Sequence, residues 1–360
     1  MKTLNIIVKG ILLFIIINLL FSLLQPGIGR LSAYNVIFPG RERLPFGENS
    51  AKAYNLSLFD LDAMFASHEI SGDPKQADEF RVILIGDSSV WGTLLKPEET
   101  LAGQLNSANI SACGKNVRVY NLGYPTISLT KDVLLLSYAM EYQPDFIIWL
   151  TTLEAFPLEK QIASPLVANN EESLIRLASR SGLRVDPNDP AFNQDSFWGS
   201  TIIGKQRALA DVFRLQIYGV MWAATGIDQI YPTDYQKAQT DFDADQKFHE
   251  FGPPILDKNS LAFNALETGI RIAGDTPVVI VNEPMMISAG ENSDIRYNFF
   301  YPRWAYDQYR SMMSENNWDY VDLWDAISAN EFTNSAIHLT PLGESQLAEK
   351  LTPVITAACK

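Results

Sequence analysis

The stretch Arg81-Val-Ile-Leu-Ile-Gly-Asp-Ser-Ser-Val-Trp-Gly92 decides how the rest of the chain is read. Val82 to Ile85 is an unbroken apolar run, closed by Gly86. Such a run reads as a strand buried on both faces, as in parallel sheets. Gly86-Asp87-Ser88 then turns the chain at the strand's carboxyl end, where open α/β sheets bind ligands. Pro97-Glu98-Glu99 follows, with proline suited to a first helical position and acids to a helix N-terminus. A serine therefore lies between a buried strand and a helix, where a nucleophile would lie. Taken alone, Gly-Asp-Ser is an ordinary turn.

Two later stretches extend the pattern. Val117 to Tyr120 is a second strand-like run that ends in Asn121-Leu122-Gly123. Near the C-terminus, Ile337-His338-Leu339-Thr340-Pro341-Leu342-Gly343 sets a histidine before a helix start, with Thr340 as its N-cap. In this order the three elements resemble the SGNH or GDSL hydrolase family, from about Arg81 to the C-terminus with a large interruption. The resemblance implies a flavodoxin-like three-layer α/β/α sandwich around a central parallel sheet. It also implies Ser88 as nucleophile, His338 as general base, and the backbone amides of Ser88 and Gly123 as oxyanion donors. These roles suit the residue types. A serine hydroxyl is a weak nucleophile that needs a base in hydrogen-bond reach, and imidazole titrates near neutral pH. Gly86-Asp87-Ser88-Ser89-Val90 lacks the final glycine of the α/β-hydrolase elbow, which counts against that fold.

Two positions depart from the family pattern. An oxyanion-binding Asn is expected after the third strand, where this chain has Thr151-Thr152-Leu153-Glu154. Glu154 takes the Asn position. An ionised carboxylate repels an oxyanion, so Glu154 is protonated, or points elsewhere, or that donor is missing. The family also has Asp three residues before the histidine. Here that residue is Ser335, with Asn334 one further back. A one-residue bulge would let Asn334 orient His338, and Glu283 and Asp325 are the alternatives.

Strand-like runs at Asp145 to Leu150, Pro277 to Val281 and Tyr320 to Leu323 alternate with helical patterns at Leu129 to Tyr142, Ser260 to Ala273 and Pro341 to Ala358. Alternation of this kind implies a parallel sheet with right-handed crossovers. Residues 156–255 break the rhythm and read as a rim insertion, with a helical pattern over Thr201 to Ile230 and a solvated acidic loop at Asp241 to Asp245. Lying on a bilayer surface is open to the helical stretch. Spanning a bilayer is disfavoured by Asp211, Arg214 and Asp228. Ser288 to Trp304 reads as a loop over the site.

Leu4 to Leu24 is apolar and about as long as a bilayer-spanning helix, with Lys2 and Lys9 on its N-terminal side. That bias leaves the rest of the chain outside the cell membrane as a single-pass protein. A cleaved signal peptide is the rival reading, and no small-x-small cleavage site directly follows. The expected organisation is an anchor over 1–28, a membrane-proximal segment over 29–79 and the catalytic domain over 80–360. Gly40 to Arg43 is polar in that segment, Leu56 to Ala66 is amphipathic and is expected to pack against the domain, and His68 reads as a surface or internally bonded histidine.

The formal net charge of −14 over 360 residues argues against a nucleic-acid partner. The sequence carries no cofactor motif and no metal-ligand spacing. Cys113 and Cys359 are the only cysteines. They end the first and last helices of the expected fold, which share one face of such a sheet. An extracytoplasmic site permits a disulfide between them. The expected function is ester hydrolysis or acyl transfer, on O-acylated envelope glycans or on lipid esters, within an envelope-modification assembly. The alternative, given Glu154 and the missing Asp, is a non-catalytic binding or scaffold protein of the same fold.

Overall fold

The computed structural model describes residues 2–26, 41–44, 61–72, 74–192, 197–225, 234–238, 247–287, 296–297 and 301–359. The protein is mixed α/β. The strands of its main sheet are β1 (Glu79–Ile85), β2 (Ser111–Ala112), β3 (Lys115–Asn121), β4 (Phe146–Thr151), β5 (Val278–Asn282) and β6 (Asp319–Asp322). They form one six-stranded sheet in the order β2-β3-β1-β4-β5-β6. All neighbours run parallel except the edge pair β2 and β3. Arg296–Tyr297 pairs with Tyr301–Pro302 in a separate antiparallel ribbon within the stretch expected to be a loop. Every residue of β1 and β4 is buried, which is why these strands show no alternation of polar and apolar side chains. In sequence order the five parallel strands run 2-1-3-4-5 across the sheet, so the connection reverses direction between β1 and β4.

The helices include α1 (Lys2–Leu24), α2 (Ser88–Trp91), α3 (Leu101–Ser107), α4 (Leu129–Ala139), α5 (Glu171–Ser181), α6 (Gln206–Thr225), α7 (Phe263–Ala273), α8 (Arg303–Ser314) and α9 (Pro341–Ala357). The connection after β1 is broken into pieces. Gly92 sits at φ 86° and ends α2 after one turn. Pro97 to Glu99 then forms a 3-10 turn, and Thr100 caps α3 by accepting from the Gly103 N–H at 3.2 Å. The short edge strand β2 was read as the end of a helix, because two residues carry no periodicity. Helices α7 and α5 pack on α4, while α9 packs on α3.

The insertion is tied to the body by α5, an element the sequence reading did not single out. Helix α6 is shorter than the expected Thr201 to Ile230, with turns over 201–205. Asp241 to Asp245 and most of Ser288 to Trp304 lie outside the described residues, and α8 begins at Arg303. The described part of Leu56 to Ala66 packs against the domain, as its amphipathic pattern implies. Leu44, Leu61, Met64, Phe65 and Ile70 join the main hydrophobic core. Arg41 and Arg43 are buried. Helix α1 is long and apolar enough to cross a membrane.

Cys113 and Cys359 are disulfide-bonded, with 5.2 Å between their Cα atoms and a sequence separation of 246. The bond fixes the end of α9 to the turn before β3. Closing so long a loop lowers the entropy of the unfolded chain. Cys359→Ser is therefore expected to lower stability by about 2–4 kcal/mol, read by denaturant unfolding of the full chain without reductant. An unchanged midpoint would count against that contribution.

Candidate active site

The carboxyl ends of β1, β3, β4 and β5 lie at one edge of the sheet, since Leu84 pairs with Asn121, Ile85 with Trp149, and Thr151 with Asn282. Ser88 begins α2 just beyond β1, half-buried. Asp87 caps this helix, its carboxylate accepting from the Ser89 N–H at 2.8 Å. The Ser88 N–H occupies the first helical position, where no intrahelical carbonyl faces it.

His338 comes from a small hairpin. Phe332 and Leu339 form an antiparallel bridge, and the Thr333 N–H donates to the His338 carbonyl at 2.8 Å. This turns residues 334–337 into the tip and folds Asn334 back onto the histidine. His338 Nδ1–H donates to Asn334 Oδ1 at 2.8 Å, which leaves Nε2 as acceptor. Ser88 Oγ donates to that nitrogen, also at 2.8 Å. Two residues that lie 250 positions apart in the chain are thus hydrogen-bonded. Burial pushes the imidazole down to about 4, so His338 is neutral at pH 7 with Nε2 free of a proton.

The other residues singled out in the sequence fall as follows. Glu283 does not reach the ring. Its carboxyl pairs with Ser89 Oγ. Burial raises Glu283 well above the usual carboxylate range, and the charge of Asp87 raises it further. Asp325 is exposed and Nδ1 is already taken by Asn334. Glu154 accepts from Lys160 Nζ, and lies 3.1 Å and 3.2 Å from His249 Nε2. The Glu154 side chain thus faces Lys160 and His249. The bond to Glu154 raises the His249 pKa and favours imidazolium there. His68 is fully buried, with Nε2 3.0 Å from the Asn121 carbonyl and Nδ1 accepting from the Ile70 N–H at 3.1 Å.

Gly123 packs its turn directly against α2. A Cβ there would lie 2.2 Å from the Trp91 backbone nitrogen, so only glycine permits the approach. Its N–H donates to Asn121 Oδ1 at 3.0 Å.

Two cations support the site from buried positions, Lys131, which the sequence reading passed over, and Arg43, which it took only as polar. Lys131 is completely buried in α4. Its ammonium donates to the Gly86 carbonyl at 2.7 Å and to the Tyr124 carbonyl at 2.9 Å, and pairs with Asp132 at 2.8 Å. It therefore joins the turn before Ser88 to the turn after Gly123. Arg43 lies over the Trp91 ring at 4.0 Å and donates to the carbonyls of Gly92 and Leu95, each at 2.9 Å. The signal for Lys131 was present in α4, whose other residues are largely apolar and leave no wet face for a Lys-Asp pair. Among the described residues, no group of three or more His, Cys, Asp or Glu side chains is placed to hold a metal ion.

No family model matches the sequence, and no curated protein matches it. Among solved structures the chain is similar to a member of the lipolytic protein G-D-S-L family from Veillonella parvula DSM 2008. The identity is 12%, the TM-score 0.35, and the match covers 77% of this chain and 98% of that one. A likeness of this size leaves the argument to the geometry.

Two expectations follow from the site. The first concerns pH. A base that protonates only near 4 stays neutral as pH falls through 6.5, so attack by Ser88 is expected to decline only as pH approaches about 4. Asn334→Asp puts a charge beside the imidazolium and is expected to move that limb up by about 1–3 units. The rate of Ser88 modification by a fluorophosphonate against pH reads both, and coincident limbs in the two proteins would refute the assignment. The second concerns Lys131. Lys131→Met leaves Asp132 buried without its cation and is expected to cost about 3–5 kcal/mol. Urea unfolding measures this, and a loss within experimental error would refute it.

Proposed function

We propose that the chain is a membrane-anchored, extracytoplasmic serine esterase or acyltransferase of the SGNH type. The observation that carries this is the relay from Ser88 Oγ to His338 Nε2 and from His338 Nδ1 to Asn334 Oδ1. The strand order 2-1-3-4-5 supports a flavodoxin-like three-layer arrangement, in which ligands bind where the order reverses. Ser88 stands at that point, following β1. Helix α1 supports the anchor, and the proposed organisation has the catalytic domain over 80–360 with its insertion at the rim.

In the proposed reaction Ser88 Oγ attacks the ester carbonyl carbon while its proton passes to His338 Nε2. The carbonyl π electrons move to oxygen, and the backbone N–H groups of Ser88 and Gly123 receive the charge. For this the Gly123 N–H turns from Asn121 Oδ1 or is shared with it. Collapse of the intermediate breaks the ester C–O bond, and His338 returns the proton to the leaving alcohol. Water, or an acceptor hydroxyl, then attacks the acyl-Ser88 by the same route in reverse. Asn334 fixes the tautomer but adds no charge, so the imidazolium is stabilised less than by an Asp. The substrates that fit the location are O-acylated envelope glycans or lipid esters, handled within an envelope-modification assembly.

A second reading is a binding or scaffold protein that keeps the fold without turnover. It is favoured by the neutral amide at Asn334 and by the Gly123 N–H engaged with Asn121.

Labelling of the full chain by a fluorophosphonate separates the readings. The enzyme is expected to be labelled at Ser88, not at all in Ser88→Ala, and about 10²- to 10⁴-fold more slowly in His338→Ala. No labelling of the parent protein, with its fold intact by circular dichroism, would leave the scaffold reading standing.

A further inference from the structure

The insertion holds a second apolar surface besides α1, and the two are joined. Asn18 is the one buried residue of α1. Its Nδ2 donates to the Phe14 carbonyl at 3.0 Å, and its Oδ1 accepts from the Ile203 N–H at 3.4 Å. One turn further on, Ser22 Oγ bonds Ser200 Oγ. The turn over residues 197–203 is thus held against the last part of α1. At a rise of about 1.5 Å per residue, Asn18 lies about 9 Å inside the Leu24 end. A bilayer that takes up α1 to Leu24 must accommodate whatever is bonded at Asn18. What it meets there is apolar: Phe197, Trp198 and Ile203 are exposed by 59%, 69% and 49%. Tryptophan with apolar neighbours suits the boundary between headgroups and acyl chains.

Helix α6 follows directly and is inverted relative to an ordinary surface helix. Among the positions whose burial is described, the buried ones, Val212 and Gly219, lie along one side. The opposite side exposes Phe213, Ile217 and Met221, at 69%, 64% and 59%. Spaced four apart, they form one row. Ala210 and Ala224 fall on the same arc, which Arg214 and Tyr218 border. An apolar row edged by a cation and an aromatic hydroxyl is the pattern of a helix lying in a membrane interface.

We propose that the insertion is a second membrane contact, with the 197–203 turn entering the outer leaflet beside α1 and α6 lying along its surface on Phe213, Ile217 and Met221. The occupant of this face is lipid, because the face continues the lipid-facing surface of α1. The proposal rests on α1 spanning the membrane. It does not depend on Ser88 chemistry. Contact at two places fixes the tilt of the sheet over the bilayer, where a single helix would leave the body free to swing.

Spin labels on the full chain in nanodiscs of mixed phosphatidylcholine and phosphatidylglycerol test this. Labels are placed singly at Phe213→Cys, Ile217→Cys and Met221→Cys, with Ser179→Cys on the exposed side of α5 as the aqueous reference and Leu12→Cys as the α1 reference. Lipid contact is expected to make collisions with oxygen outweigh those with a water-soluble nickel chelate at 213, 217 and 221, as at 12, and to reverse at 179. Nickel-dominated collisions at all three α6 positions, with Leu12→Cys still in lipid, would overturn the proposal and leave the anchor intact. Low access to both reagents with dipolar broadening between chains would overturn it in favour of a second copy. Nickel-dominated collisions at Leu12→Cys would remove the anchor and the proposal together.

Discussion

A lysine side chain sealed from solvent is the fixed point of this molecule. Lys131 sits where the turns that follow β1 and β3 meet, and both turn their carbonyls to it. Those turns carry Ser88 and Gly123, which belong to adjacent strands and have no covalent reason to keep a constant separation. A charge buried this deeply tolerates little movement, because every lost contact is a lost counter-dipole. Asp132 balances it, and is itself held by the Trp149 indole N–H at 3.1 Å and pushed up to about 6 by burial. The geometry at the rim is in this sense set from below.

A second brace comes from outside the sheet. Arg43 belongs to the stretch between α1 and β1, yet it closes the carbonyl end of α2 and stacks on Trp91. His68 from the same stretch bonds the end of β3. The stretch between α1 and β1 is therefore part of the support of the turn that carries Ser88. The hairpin that presents His338 is anchored separately, since the Met286 N–H donates to the Ala336 carbonyl at 2.8 Å. Each half of the Ser88–His338 pair thus has its own local scaffold.

How far the sequence discloses all this depends on the range of the interactions. Ser88 and His338 were legible because each stands at a boundary that local pattern marks: an apolar run ending in glycine, and a Thr-Pro helix start. The parallel strands were legible because burial on both faces leaves continuous apolar runs. Asn334 was legible only as one option among three, since its place beside the ring depends on the cross-strand pairing of Phe332 with Leu339. Arg43 and Lys131 were taken only as polar or passed over because a cation is surface by default. Only the tertiary structure supplies the carbonyls that make burial affordable. Glu154 marks another limit: its partners Lys160 and His249 lie on either side of the insertion's helices.

The bond between Cys113 and Cys359 has a topological result. It makes residues 113–359 a closed covalent ring, and the whole insertion hangs within that ring. A protease that nicks the insertion once opens the ring without releasing any piece, so the two sides of the sheet stay linked. A nick between Leu24 and Leu61 acts differently, because nothing covalent bridges it. A cut there parts α1 from everything that follows it in the chain.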